Sequence, residues 1–137
     1  MFNKKTYLNY FLLIFWMGII FYLSSQPDLK SGLESQIDFV LRKMAHIAEY
    51  GILTFLAWRV FLDVKETEFP FGNSVSKTVS EMPRVLIYAI IFSILYAISD
   101  EYHQTFVAGR VGGAQDVLID SVGIAIAGIA IWRKRLK

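Results

Sequence analysis

Hydrophobic residues gather in four runs separated by polar stretches, with no repeat of fixed period. The first, TYLNYFLLIFWMGIIFYLSSQP, places 22 uncharged residues between Lys5 and Asp28. A helix of about 20 apolar residues crosses the roughly 30 Å hydrocarbon layer of a bilayer, so length alone predicts a transmembrane helix over about residues 6–25. It closes at SSQP, because Pro27 cannot continue a helix hydrogen-bonded on its N-terminal side. The NKK ahead of it would also suit the basic start of a cleaved signal peptide, but no A-x-A-like exit is present and further apolar segments follow. A polar, mildly amphipathic connection, DLKSGLESQIDFV, leads to a second helix over about 41–62. The stretch DVKETEFPFGNSVSKTVSEMPR, residues 63–84, is rich in charge, Ser, Thr and turn formers and reads as a solvated loop. The third helix, about 85–104, starts near Pro83, at the end of a helix that proline tolerates. The fourth, about 115–132, follows the GRVGG turn. The pattern predicts one all-α domain over residues 1–137, a four-helix transmembrane bundle.

Run lengths then say where the polar residues lie. The uncharged runs of the last three helices are 9 residues (Tyr50 to Trp58), 15 (Val85 to Ser99) and 12 (Ser121 to Trp132), and at about 1.5 Å per residue none crosses the hydrocarbon layer. Each helix must continue through its charged end, which carries His46 and Glu49, Asp100 and Glu101, and Asp116 and Asp120 to the membrane's edge or below it. Helical periodicity groups Lys43, His46 and Tyr50 on one face with Glu49 a step aside, aligns Asp100 with His103 and Gln104, and strings Asp116, Asp120, Gly123, Ala127 and Ala130 into a stripe. Polar at one end and small below, that stripe suits close packing against a neighbouring helix.

Composition changes the picture in one respect: 55% of the 137 residues are hydrophobic and 19% charged, too apolar for one soluble core of this size. The net charge of +2 is uninformative, but its distribution is not. Four crossings put both termini and the 63–84 stretch on one side, with ten of the 14 lysines and arginines; Lys30, Arg42, Lys43 and Arg110 fall on the other. The positive-inside rule makes the richer side cytoplasmic. The polar helix ends then converge on the extracytoplasmic side of the membrane. A re-entrant last segment would leave RKRLK outside, against the rule. The chain has no cysteine, so disulfides are excluded.

Three separated motifs, FYLSSQP, KMAHIAEYGIL and SDEYHQTFVAGRVGGAQDVLIDSVGIAIAG, resemble the VanZ family of small bacterial membrane proteins, whose namesake is associated with teicoplanin resistance. The family pattern falls on Ser25, Gln26, Lys43, His46, Glu49, Tyr50, Asp100, Glu101, Gln104, Arg110 and Asp116. Two positions depart from it. Asp120 stands where the family usually shows asparagine, adding an acid, and Ala108 where a proline commonly precedes the GR pair. The resemblance implies an envelope role and lowered susceptibility to lipophilic glycopeptides; it prescribes no reaction.

Candidate chemistry follows from the cost of ionisable groups in a bilayer, several kcal/mol unless paired. Such groups mark functional sites, or ion pairs that simply specify packing. Lys43, His46, Glu49, Glu101, Gln104, Arg110, Asp116 and Asp120 are the expected ligand-binding set. His46, Glu49, Asp100 and Glu101 are the candidates for acid–base catalysis. Arg110, between Gly109 and Gly112, has a forked guanidinium and bare backbone N–H groups suited to phosphate or carboxylate, or else a salt bridge to Asp116 or Glu101. His46 and Glu49 are spaced for a hydrogen bond or a metal, but no HExxH and no second such pair is present, so neither a metal nor another cofactor is expected. Trp16 lies mid-span, lipid-facing or packed. The basic ends are topology signals with attraction to anionic lipid. Three classes of function fit: a pocket for membrane lipid or a lipid-linked envelope precursor, with Lys43 and Arg110 as cations; an intramembrane enzyme acting on such a lipid, with His46 or Glu49 as base; or a transporter subunit, which with four helices and no inverted repeat would need to form a homo-oligomer. No nucleic-acid partner is indicated.

Overall fold

The computed structural model describes residues 4–27, 35–68 and 74–135. Among them are four α-helices and no strands: α1 (Lys4–Ser24), α2 (Ser35–Glu68), α3 (Ser74–Gln104) and α4 (Ala114–Arg135). Successive helices alternate in direction. Trp16 of α1 reaches Glu49 of α2 while Asn9 reaches Asp63, and Lys43 and His46 of α2 pair with Asp116 and Asp120 of α4.

α2 occupies the centre, packed against all three other helices. Its residues Tyr50, Leu53, Thr54, Ala57 and Val60 recur at three- and four-residue intervals and are almost wholly buried. Leu13 and Ile20 of α1, Ala89 and Ala97 of α3 and Ile124 of α4 close around them. The outward faces are equally apolar: Phe11, Ile14 and Phe15 of α1, Ile91 and Leu95 of α3, and Ile126 and Ile129 of α4 are all exposed. A soluble monomer does not present so continuous an apolar surface, whereas lipid tails solvate it.

By length and apolarity, three helices suffice to cross a membrane among the described residues: α1, the Pro83–Gln104 part of α3, and the Ala114–Lys134 part of α4. α2 does not meet that measure, because it carries Asp38, Arg42, Lys43, His46 and Glu49 at one end and Arg59 and Asp63 at the other. Its position explains the difference. A helix packed against three others needs less apolar circumference, and several of its ionisable groups pair with those neighbours: Lys43 with Asp116, His46 with Asp120, and Asp63 with Asn9 and Lys5.

Three expectations are corrected. The stretch 63–84 is not one solvated loop: α2 continues to Glu68 and α3 begins at Ser74, with Pro83 inside it. Residues 63–68 and 74–82 contain neither Gly nor Pro, and extending an established helix costs little compared with starting one. Pro83 removes one backbone hydrogen bond without ending the helix. Residues 69–73 of that expected loop lie outside the described residues, as do Lys30 and Lys137. The second helix also begins earlier than 41. Asp38 lies in its first turn, where a carboxylate favours the helix N-terminus, and contacts Arg42 one turn on at 3.2 Å.

The small-residue stripe is displaced as well. Asp120 and Gly123 are buried, but the buried line continues through Ile124, Gly128 and Ile131, leaving Ala127 half-buried and Ala130 exposed. Gly123 is where α2 and α4 meet most closely. A Cβ there would overlap the backbone carbonyl of Ile47, and one on Gly51 would lie 3.3 Å from the Gly123 carbonyl oxygen.

Candidate functional site: a polar layer at one end of the bundle

The C-terminal ends of α1 and α3 and the N-terminal portions of α2 and α4 bring their polar side chains to one level. Asp120, wholly buried, sits one helical turn before Gly123, and the close approach there presses it against α2. His46 Nδ1 lies 3.0 Å from Asp120 Oδ1. One turn further along both helices, Lys43 Nζ forms an ion pair with Asp116 Oδ1, both side chains only about a quarter exposed.

Gln104 joins the acids of α3. Its Nε2 donates to Asp100 Oδ2 and to Glu101 Oε1, each at 3.1 Å, the i→i+4 and i→i+3 partners on one face. The backbone N–H of Gly113 donates to Glu101 Oε2 at 3.0 Å, which seats this carboxylate at the start of α4. Gly112 allows that turn, since a Cβ there would overlap the backbone carbonyl of Glu101. All three side chains are buried.

Arg110 clasps α1. Nε donates to the Gln26 carbonyl at 3.0 Å, one terminal nitrogen to the Leu23 carbonyl at 2.7 Å, and the other to Gln104 Oε1 at 3.4 Å. The last carbonyls of a helix lack intrahelical donors and carry partial negative charge, so a guanidinium satisfies both needs at once. The alternative pairing of Arg110 with Asp116 or Glu101 is not what forms, because Lys43 takes Asp116 and Gly113 with Gln104 takes Glu101. Ser24 Oγ approaches His103 Nδ1 at 3.5 Å, and the His103 ring packs on Phe21 with centroids 4.5 Å apart.

A cavity of about 160 Å³ opens into this layer, lined by Leu23, Ser24, Arg42, Ala45, His46, Glu49 and Arg110. Of the expected ligand-binding set, His46, Glu49 and Arg110 line this cavity, while Lys43, Glu101, Gln104, Asp116 and Asp120 belong to the same polar layer but not to the cavity's lining. Ser25 and Gln26 instead bond the carbonyls of Phe21 and Tyr22 on their own chain segment. Trp16 is packed, its Nε1 donating to the Glu49 carbonyl at 3.0 Å.

The opposite end holds a polar pair that sequence reasoning missed. Asn9 Nδ2 lies 2.5 Å from Asp63 Oδ2, both residues buried, with Lys5 Nζ 3.5 Å from Asp63 Oδ1. The available signal was Asn9 itself, an amide within an otherwise apolar span. Along α2, the 17 residue steps from His46 to Asp63 span about 25 Å, so the two polar layers are separated by nearly the thickness of a hydrocarbon core.

An all-helical bundle with apolar outer faces and charged groups sheltered at its ends defines a membrane protein. The chain belongs to the VanZ/LLP1 family, whose pattern matches residues 9–136. Among curated proteins and solved structures, none matches the chain significantly.

Proposed function

We propose that this protein is a multi-pass protein of the bacterial plasma membrane that binds an anionic or lipid-linked headgroup in its polar layer. In this reading α2 is a fourth crossing, both termini are cytoplasmic, and the His46 end faces outward. The carrying observation is the cavity between α1, α2 and the 105–113 segment. Arg42, His46, Glu49 and Arg110 line it beside the apolar Leu23 and Ala45, a combination suited to a charged headgroup continuous with a hydrocarbon tail. Membership of a family whose namesake is associated with teicoplanin resistance extends the proposal to glycopeptide resistance of that type, since such drugs act on envelope precursors at the outer surface.

A second reading is favoured by the His46–Asp120 contact. A carboxylate that orients an imidazole is the arrangement of a general base, and Glu101 and Glu49 stand nearby as acids. Acid–base chemistry on the same lipid is therefore the alternative to binding alone.

Identifying lipid that co-purifies with the full chain, by mass spectrometry, tests both. A phosphorylated polyprenyl lipid enriched over the membrane extract and retained unchanged supports the pocket; conversion of that bound lipid on incubation favours the enzyme. Arg110→Lys should lose the enrichment, because an ammonium does not reproduce the guanidinium fork. Bulk phospholipid in membrane proportions, identical in wild type and variant, overturns the proposal.

A further inference from the structure

We infer that His46, Glu101 and Asp120 form a binding site for one divalent transition-metal cation of the zinc or manganese class. Each offers one donor atom, and the three atoms lie within 4.8 Å of one another. With metal–ligand bonds of about 2 Å, bound donors sit roughly 3–4 Å apart, so small side-chain rotations close the site. One imidazole nitrogen with two carboxylate oxygens is a donor set for such ions and leaves positions open for water or a further oxygen ligand.

The second observation is electrostatic. Asp120 is wholly buried, and while its Oδ1 faces His46, its Oδ2 has no hydrogen-bond partner. Asp100, also buried, leaves Oδ1 without a partner. Among the described residues no lysine or arginine forms an ion pair with Asp100, Glu101 or Asp120, because Lys43 is committed to Asp116 and Arg110 to the end of α1. Three carboxylates gathered in a low-dielectric layer need positive charge among them. A divalent cation between Asp120, Glu101 and His46 supplies it, with Gln104 and the Gly113 N–H holding Glu101 in orientation as outer partners of the ligand. Protons on the acids are the competing solution.

The sequence offered all three residues as ligand-binding candidates but not as one metal set, pairing His46 only with Glu49. His46, Glu101 and Asp120 come from α2, α3 and α4, and metal-ligand spacing within one helix is the only spacing a sequence displays. The site stands independently of the headgroup proposal, since delipidated protein retains all three donors.

The test uses delipidated full-length protein in detergent, stripped with EDTA and then incubated with Zn²⁺ or Mn²⁺ alone. After desalting, elemental analysis should find about one ion per chain, with at least roughly tenfold less for Asp120→Asn and His46→Gln. Co²⁺ supplies a reading that needs no variant: wild-type protein should shift its visible absorption away from the aquo ion, and EDTA should reverse the shift. Metal retained equally by wild type and both variants, or no retention together with an unchanged Co²⁺ spectrum, overturns the inference and leaves the acids neutralised by protons. Loss of metal binding with lipid enrichment intact would sink this site alone.

Discussion

At the scale of single residues, the layer is organised by which partner each basic side chain takes. Lys43 has Asp116, Arg110 has the C-terminal carbonyls of α1, and His46 has Asp120. The Lys43–Asp116 pair is mostly sheltered, so the physical consequence of removing one partner is a stranded charge rather than a lost surface contact. Lys43→Ala should lower stability by about 1–3 kcal/mol, the cost of leaving a hydrogen-bonded charge unsatisfied. The double change Lys43→Ala with Asp116→Ala should recover part of that loss, because neither charge is then stranded. Thermal unfolding of the four proteins of the cycle in one detergent measures it. Strict additivity would show that the pair is not coupled.

At the scale of elements, the α2·α4 contact sets the geometry of the layer, since Gly123 lies one turn from Asp120. Gly123→Ala forces the two backbones apart and should cost about 1–3 kcal/mol, the range for overpacking. It should also weaken the His46–Asp120 contact. Gly18→Ala on α1 is the control: a Cβ there meets nothing within 4 Å, and helix propensity favours the change by up to about 1 kcal/mol. Equal effects at the two positions would remove the close approach as the cause. This contact was half visible in the sequence. The 3.6-residue period aligned Asp116, Asp120 and Gly123 on α4 and Lys43, His46 and Tyr50 on α2, because facing positions on a helix follow from spacing alone. That Arg110 would turn to α1 rather than to Asp116, and that Asn9 would find Asp63, 54 residues away, depends on which helices become neighbours, and spacing within one helix carries no such information. Helix boundaries failed for a related reason. Charged residues at 63–68 suit a loop and a helix equally, and only the buried turns before them decide.

At the scale of the whole molecule, two polar layers about 25 Å apart along α2 bracket a core of Tyr50, Leu53, Thr54, Ala57 and Val60. That separation gives α2, the least apolar helix, a length that suits a crossing: Lys43, His46 and Asp63 fall where its neighbours' ends supply partners, and mostly apolar residues lie between them. In the proposed four-crossing topology Arg42 and Val111 lie on one side and Arg84 and Arg133 on the other, and the lysine and arginine imbalance assigns the second side to the cytoplasm. The chain has no cysteine, so single substitutions report position without background. In intact cells a membrane-impermeant maleimide should label Val111→Cys, where the native side chain is 88% exposed, and Arg42→Cys. It should reach Arg84→Cys and Arg133→Cys only after permeabilisation. Labelling of Arg42→Cys and Arg84→Cys from the same side would mean that α2 does not cross, and the reverse pattern at all four positions would turn the polar layer toward the cytoplasm, away from any drug or precursor at the outer surface.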